Sequence, residues 1–254
     1  MKNKTAFIIG GSGNIGLGIS KLFEKNNYKI IILDKKNILK KHKNIFFENF
    51  ELSNIYQLEK NLKKIIKKYG IPDTLVNASY PISSNWKKLN LKEIKLKYFI
   101  ENVSLHLGSY YWITKLMADF MIKKKRGSII MISSIYGIVS QDPEVYKNTN
   151  LEPNLIYPII KAGINAGSKQ LSCFYGLNNI RINTISPGGI DGINKASKLE
   201  LDSIFKKNYL KKLSIKRFCT PQDVAQACLY LADDKKSSYI TGQNIILDGG
   251  YTVK

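Results

Sequence analysis

The start of the chain combines a strand, a glycine-rich turn and a helix, and this combination restricts the fold more than any other stretch. A short apolar run over residues 5–9 leads into glycines over residues 10–16, and an amphipathic helical pattern follows. Glycines let the backbone approach a phosphate, and a helix N-terminus offers free N–H groups and a partial positive charge. The turn is therefore predicted to hold the pyrophosphate of a dinucleotide. The predicted contacts are Gly10, Ser12, Gly13, Asn14, Ile15 and Gly16.

Apolar runs and amphipathic segments go on alternating along all 254 residues, of which 44% are hydrophobic. Strands are predicted over residues 5–9, 29–33, 44–47, 74–76, 127–132, 181–185 and 242–248. Helices are predicted over residues 55–69, 91–124, 157–175 and 221–231, the last beginning at Pro221. This alternation predicts an α/β fold: a Rossmann-type doubly wound parallel sheet with helices on both faces, forming a single domain over residues 1–254.

Polar residues and glycines stand where the predicted strands end, which is where such sheets bind ligands. Asp34 ends the second strand, where a carboxylate can accept hydrogen bonds from the adenosine ribose and repel a 2′-phosphate. This favours NAD(H), whereas the adjacent Lys35 and Lys36 keep NADP(H) open. The other cofactor contacts predicted at strand ends are Glu51, Leu52, Asn77, Ala78, Pro187, Gly188 and Ile190.

The formal net charge of +21 comes almost entirely from lysines that are scattered along the chain. Scattered lysines in an Asn- and Ile-rich sequence indicate compositional bias, so no dedicated nucleic-acid binding is expected. An anionic substrate would still be attracted by this charge. The three cysteines have neither disulfide nor metal-ligand spacing, which predicts a cytoplasmic protein without a metal site. No apolar run is long enough to span a membrane, and no membrane association is expected.

Tyr157 and Lys161 are four residues apart, so on a helix they lie on the same face. A free phenol is a weak acid at neutral pH, and a neighbouring ammonium favours its ionised form. Such a pair can exchange a proton with a substrate oxygen. In a lysine-rich chain this spacing also arises by chance, so a catalytic interpretation of the pair requires supporting motifs elsewhere in the sequence.

Taken together, the motifs resemble those of the short-chain dehydrogenase/reductase family over essentially the whole length. They are the turn from Gly10 to Gly16, Asp34, Asn77-Ala78, the serine motif from Ile132 to Gly137, Tyr157 with Lys161, Arg181 to Gly188, and Ile240 to Gln243 with Asp248-Gly249-Gly250. The resemblance implies that Tyr157 exchanges a proton with the substrate oxygen. It implies that Lys161 lowers the pKa of Tyr157 and binds the nicotinamide ribose, so that Tyr157 and Lys161 both contact the cofactor. It also implies that Ser134 positions the same substrate oxygen.

Several residues depart from the family pattern. Asn14 stands where the family has a second glycine, and Tyr80-Pro81 replaces small residues after the fourth strand. The family's fourth catalytic residue is an Asn on the long helix, and His106 occupies the corresponding position, with Asn102 one turn earlier. We therefore expect His106 or Asn102 to act as the fourth catalytic residue, with His106 holding a water in the proton relay as a hypothesis.

The segment between Ser134 and Tyr157 is longer than is usual in the family, and residues 140–153 are the added part. This insertion is either a tolerated surface loop or a specificity element, since loops at this edge carry function. Together with Tyr80-Pro81, it resembles a bacterial subgroup associated with surface-polysaccharide and flagellin-sugar biosynthesis. That resemblance implies a sugar or nucleotide-sugar substrate.

Two other functions stay open at this point. One is reduction of a 3-oxoacyl thioester on an acyl carrier protein, whose acidic surface would suit this basic chain. The other is a dinucleotide-binding regulator or scaffold without turnover, which the intact Ser134, Tyr157 and Lys161 disfavour. Family members are commonly dimers or tetramers, so a homodimer or homotetramer is expected. The apolar Leu171 and Phe174 are compatible with such an interface and equally with a core face.

Overall fold

A seven-stranded parallel sheet forms the centre of the computed structural model, which describes residues 4–37, 42–190 and 202–254. The strands are β1 (Thr5–Ile9), β2 (Lys29–Asp34), β3 (Ile45–Asn49), β4 (Thr74–Asn77), β5 (Gly127–Ile132), β6 (Ile180–Pro187) and β7 (Asn244–Leu247). Their spatial order is β3-β2-β1-β4-β5-β6-β7, and every neighbouring pair is parallel. The chain reverses its direction of growth between β1 and β4, which places the ligand-binding crevice at their carboxyl ends. The predicted doubly wound α/β fold is confirmed.

Helices cover both faces of this sheet. They are α1 (Asn14–Lys25), α2 (Leu58–Tyr69), α3 (Leu96–Asn102), α4 (Ser109–Ile122), α5 (Pro143–Tyr146), α6 (Tyr157–Tyr175), α7 (Ser203–Lys212) and α8 (Pro221–Ala232). Side chains alternate between the faces along each strand: Ala6 and Ile8 join a core with α1 and α8, whereas Phe7 and Ile9 join a core with α2, α4 and α6. Within the described ranges, no helix is both long and apolar enough to cross a membrane.

The prediction of one continuous helix over residues 91–124 is wrong. The structure begins α3 only at Leu96 and inserts a π-helical turn, Val103–Gly108, before α4. The extra residue per turn rotates the side chains that follow, and π-turns of this kind are frequent at functional sites. A hydrophobic pattern averaged over a long window does not register one wider turn, which explains why the sequence predicted an unbroken helix.

Two helices near the ligand edge were not predicted. The insertion over residues 140–153 contains α5, and α7 follows shortly after β6. Both begin at an aspartate whose side chain accepts hydrogen bonds from the first turn, Asp142 for α5 and Asp202 for α7. The predicted start of α8 at Pro221 is correct, and Thr220 caps that helix together with Asp223.

Candidate active site

The glycine-rich turn is tightly packed and leaves the first turn of α1 open. Gly10 has a φ of +72°, and a Cβ on Gly16 would collide with the Gly10 carbonyl, so both positions require glycine. Among the described residues no side chain caps α1 at its N-cap, Gly13, so the first N–H groups of the helix can bind an anion. Asn14, in the place of the family's second glycine, is exposed and does not crowd the turn. The turn therefore fits a pyrophosphate.

The end of β2 brings a carboxylate to this turn. Asp34 accepts hydrogen bonds from the Ser12 N–H at 2.9 Å and from the Lys35 N–H at 2.7 Å. Lys35 in turn pairs with Glu51 at 3.2 Å. Partial burial raises the pKa of Glu51, but hydrogen bonds from Ser53 and Lys35 outweigh it and lower the pKa overall. The carboxylate of Asp34 thus lies beside the glycine turn, and Lys35 already has an acidic partner.

The other predicted cofactor residues line the same edge. The Asn77 Oδ1 accepts hydrogen bonds from Ser79, whereas its buried Nδ2 has no partner anywhere in the described chain. Such an unsatisfied amide suits a ligand group. Ala78 donates its N–H to the Ile9 carbonyl at 2.9 Å, and Gly188 donates to Leu247 at 2.9 Å. Of the remaining three residues, Pro187 ends β6, Leu52 is buried, and Ile190 is bridged to Cys219.

Ser134, Tyr157 and Lys161 come from two adjoining elements. Ser134 follows β5, whereas Tyr157 begins α6 and Lys161 lies one turn further along it. The Asn154 side chain accepts a hydrogen bond from the Tyr157 N–H at 3.0 Å and so fixes the start of α6. The neighbouring Ser133 donates its hydroxyl to the Lys161 carbonyl at 3.0 Å, which gives it a structural contact and leaves Ser134 to face Tyr157.

Burial controls the ionisation of this pair. It raises the pKa of Tyr157 to about 12, although a hydrogen bond from Ser134 acts in the opposite direction. It lowers the pKa of the almost fully buried Lys161 to about 7. The Lys161 Nζ donates to the Ile132 carbonyl at 3.1 Å and lies 5.5 Å from the centroid of the Tyr157 ring. The pKa of Tyr157 is thus raised, and not lowered as expected from Lys161, because desolvation disfavours both charges.

His106 and Asn102 have different surroundings. His106 lies on the π-helical turn, and its ring centroid is 5.3 Å from those of Tyr80 and Tyr110. Burial, with a smaller contribution from Lys161, lowers the pKa of His106 well below its usual value, so the imidazole is neutral. Both of its ring nitrogens are buried without a hydrogen-bond partner in the described part of the chain.

The side chain of Asn102 is fully engaged elsewhere. It accepts a hydrogen bond from the Ser83 N–H and donates to the Ser83 hydroxyl and to the Tyr98 carbonyl. It therefore anchors the segment that follows β4. Of the two alternatives, only His106 has polar atoms available for a further contact.

Aromatic residues that the sequence did not single out complete the wall around Tyr157. Trp86 lies 6.2 Å from both Tyr157 and His106, and Tyr136 lies 6.4 Å from Tyr157, measured between ring centroids. Tyr80, which was expected to reshape the wall, lies 5.9 Å from Tyr157. Trp86 comes from a loop without a motif, so only the three-dimensional arrangement could identify it.

Comparisons with known proteins agree with this geometry. The sequence model of a family described as "Enoyl-(Acyl carrier protein) reductase" matches residues 10–252. Post-translational flagellin modification protein A of Campylobacter coli is 30% identical over 99% of both chains. A 3-oxoacyl-[acyl-carrier-protein] reductase of Chlamydia muridarum is 33% identical over 98% of this chain and 97% of that protein.

Among solved structures, a short-chain dehydrogenase of Leptospira borgpetersenii with bound NAD+ is 26% identical. It superposes with a TM-score of 0.82 over 99% of this chain and 94% of that one. The family match covers nearly the whole chain, and the glycine turn, Asp34 and the unsatisfied Asn77 amide fit a dinucleotide. The chain belongs to the short-chain dehydrogenase/reductase family of NAD(P)-binding oxidoreductases.

Proposed function

We propose that this chain interconverts a secondary alcohol and a ketone on a sugar or nucleotide-sugar substrate, with NAD(H) as the favoured cofactor. The observation that supports the chemistry is the meeting of Ser134, Tyr157 and Lys161 beside an NAD(P)-binding edge. When bound, the nicotinamide supplies or accepts the hydride. Tyr157 gives or takes the proton at the substrate oxygen, and Ser134 hydrogen-bonds that oxygen. Lys161 binds the cofactor ribose and lowers the pKa of Tyr157 once its own charge is stabilised.

The substrate class rests on separate support. The flagellin modification protein is similar over the full length, and the insertion and Tyr80-Pro81 resemble the sugar-related subgroup. The net charge of +21 suits a phosphorylated sugar. The test is a screen of NADH and NADPH oxidation against keto-sugars, nucleotide sugars and acyl thioesters. Turnover confined to acyl thioesters would replace the sugar proposal.

Reduction of a 3-oxoacyl thioester is the second candidate function. It is supported by the 33% identity to the 3-oxoacyl-[acyl-carrier-protein] reductase and by the basic surface, which would attract an acidic carrier. The two candidates share the chemistry at Tyr157 and differ only in what surrounds the reacting carbon. The same screen separates them when the carrier-bound thioester is included.

Asp34 should set the preference for NADH over NADPH. Its carboxylate is held at the glycine turn by the Ser12 N–H, and a negative charge there repels a 2′-phosphate. We expect Asp34→Asn to raise the affinity for NADPH relative to NADH by about tenfold, equivalent to roughly 1.4 kcal/mol. Fluorescence titration of each reduced cofactor measures the ratio without a substrate. Glu144→Gln, which removes an exposed carboxylate on α5, is the charge-matched control, and a ratio unchanged in both variants would reject the role of Asp34.

His106 is proposed to hold a water in the proton relay. We expect His106→Leu to fold normally, because the substitution removes two buried nitrogens that lack partners in the described residues. Turnover should fall by roughly 10²-fold, in the range typical of a lost proton-transfer group. His106→Asn should restore part of it, since an amide can also hold a water. Full turnover of His106→Ala across the pH range would show that the hypothesis is wrong.

We further propose that the protein forms a homodimer or homotetramer and is located in the cytoplasm. Phe174 on α6 and Trp112 on α4 are exposed, as an interface between copies would require, whereas Leu171 belongs to the core. The three cysteines are free thiols, which suits a reducing compartment. Light scattering of the purified protein measures the oligomeric state.

A further inference from the structure

The insertion is fixed against the body of the protein. Its short helix α5 packs on α7 through Val145, which is fully buried in a cluster with Phe205. Asp142, which caps α5, pairs with Lys212 at 2.7 Å, and Asn208 donates to the carbonyl of Val145 at 3.4 Å. A segment tied by apolar, ionic and hydrogen-bonding contacts can hold a side chain in a defined place.

The side chain held in this way is Tyr146, the last residue of α5. Its ring packs 5.4 Å from that of Phe205, and its hydroxyl accepts a hydrogen bond from the Gln141 Nε2 at 2.8 Å. A phenol has one donor and two acceptor positions. Because Gln141 occupies an acceptor position, the Tyr146 O–H remains able to donate to an oxygen of a ligand.

Tyr146 packs on the same cluster as Tyr136, and Tyr136 contacts the catalytic tyrosine. Tyr136, two residues after Ser134, packs its ring at 74° to that of Tyr157, with 6.4 Å between the centroids. The buried hydroxyls of Tyr136 and Tyr251 make no hydrogen bond of good geometry in residues 4–37, 42–190 or 202–254, although the phenols of Tyr146 and Tyr251 lie within reach of Tyr136. The charge of Tyr146 also raises the pKa of Tyr136 and of Tyr157, in each case after the larger effect of burial.

Unsatisfied hydroxyls in such a cluster point to a polar ligand group. A buried hydroxyl without a partner costs about 1–3 kcal/mol, and native proteins rarely leave several together. These phenols converge from the Ser134 loop, the insertion and the C-terminal segment. Tyr157 packs against Tyr136 of this cluster, so an oxygen bound here would lie next to the group that exchanges the proton.

We propose that Tyr146 and Tyr136 form a subsite that hydrogen-bonds a second hydroxyl of the substrate, next to the carbon that Tyr157 serves. The inference deepens the proposed function and rests on it for the identity of the reacting group. It predicts that the protein distinguishes a polyhydroxylated ring from one with a single hydroxyl. Tyr146 then acts as a positioning residue that the insertion contributes.

A matched pair of probes tests this subsite without requiring turnover. The dissociation constants of trans-cyclohexane-1,2-diol and cyclohexanol are measured by saturation-transfer NMR on the full chain with bound NADH. We expect the wild type to bind the diol at least about fivefold more tightly, the magnitude of one hydrogen bond. Tyr146→Phe should bring the two probes within twofold of each other, and Gln141→Met should weaken the preference partly.

The control is Tyr230→Phe, which removes an exposed phenol on α8 and should keep the full preference. A wild type without preference for the diol, as expected if the phenols hold only an internal water, overturns the proposal. A preference that Tyr146→Phe retains also overturns it. If the wild type prefers the diol but reduces no keto-sugar, the subsite is supported and the proposed sugar substrate is wrong.

Discussion

Replacing Tyr157 by Phe is expected to lower turnover by roughly 10²–10⁴-fold, the usual loss when a proton-transfer group is removed. The phenol oxygen is the only difference, and burial holds its pKa near 12 in the cofactor-free chain, so the proton is present at neutral pH for carbonyl reduction. NADH binding should be nearly unchanged, because the glycine turn and Asp34 are untouched. Stopped-flow oxidation of NADH with an accepted ketone measures the first effect, and fluorescence titration measures the second.

Tyr56→Phe serves as the control for this prediction, since Tyr56 is almost fully exposed on the segment before α2. Unchanged turnover in Tyr157→Phe would sink the proposed mechanism. NADH binding by a wild type that turns over no ketone would instead favour the third function considered from the sequence, a dinucleotide-binding regulator that performs no reaction. A variant that lost both turnover and NADH binding would show a general disruption of the site rather than a lost proton donor.

Replacing Lys161 by Met is expected to have two opposite effects. Turnover should fall by roughly 10²-fold or more, because the substitution removes the group that binds the cofactor ribose and ionises the phenol. The cofactor-free protein should become more stable, because a buried ammonium with one carbonyl partner, Ile132, costs free energy that an apolar side chain does not. A gain in stability with a loss of activity is the pattern of a functional site.

The stability difference between the wild type and Lys161→Met should depend on pH. The pKa of Lys161 is lowered from 10.5 to about 7 in the folded chain. Between these values the unfolded chain binds a proton that the folded chain does not, so this residue makes stability rise with pH over that window. The advantage of Lys161→Met should therefore be largest at and below pH 7, on the order of 4 kcal/mol, and should shrink towards pH 10.

Thermal or urea unfolding of wild type and variant at several pH values measures this difference. Lys64→Met, at an exposed position on α2, is the control and should show no such dependence. A variant that is less stable than the wild type at pH 7 would contradict the proposed cost of burying Lys161.

The sequence alone was sufficient for the sheet and for the edge at which the site lies. A strand that is buried on both faces reads as a continuous apolar run, and glycines mark the turn, so β1, Gly10 and Gly16 could be placed without coordinates. The position of Asp34 at the end of β2 follows from the same local pattern. The meeting of Ser134 with Tyr157 was expected from the family resemblance of the sequence motifs rather than from the strand pattern.

The tertiary structure decided what surrounds that meeting point. Only the π-helical turn and the packing around it show that His106 lies among aromatic rings while Asn102 is bound to Ser83. The pKa of Lys161 depends on its burial, and that burial is produced by segments that are far apart in the sequence. The same holds for Tyr146, which reaches the cluster beside Tyr157 only because α5 docks on α7. Local patterns encode strands and turns, whereas desolvation and side-chain contacts depend on the packing of distant segments, and these determine which substrate the site can accept.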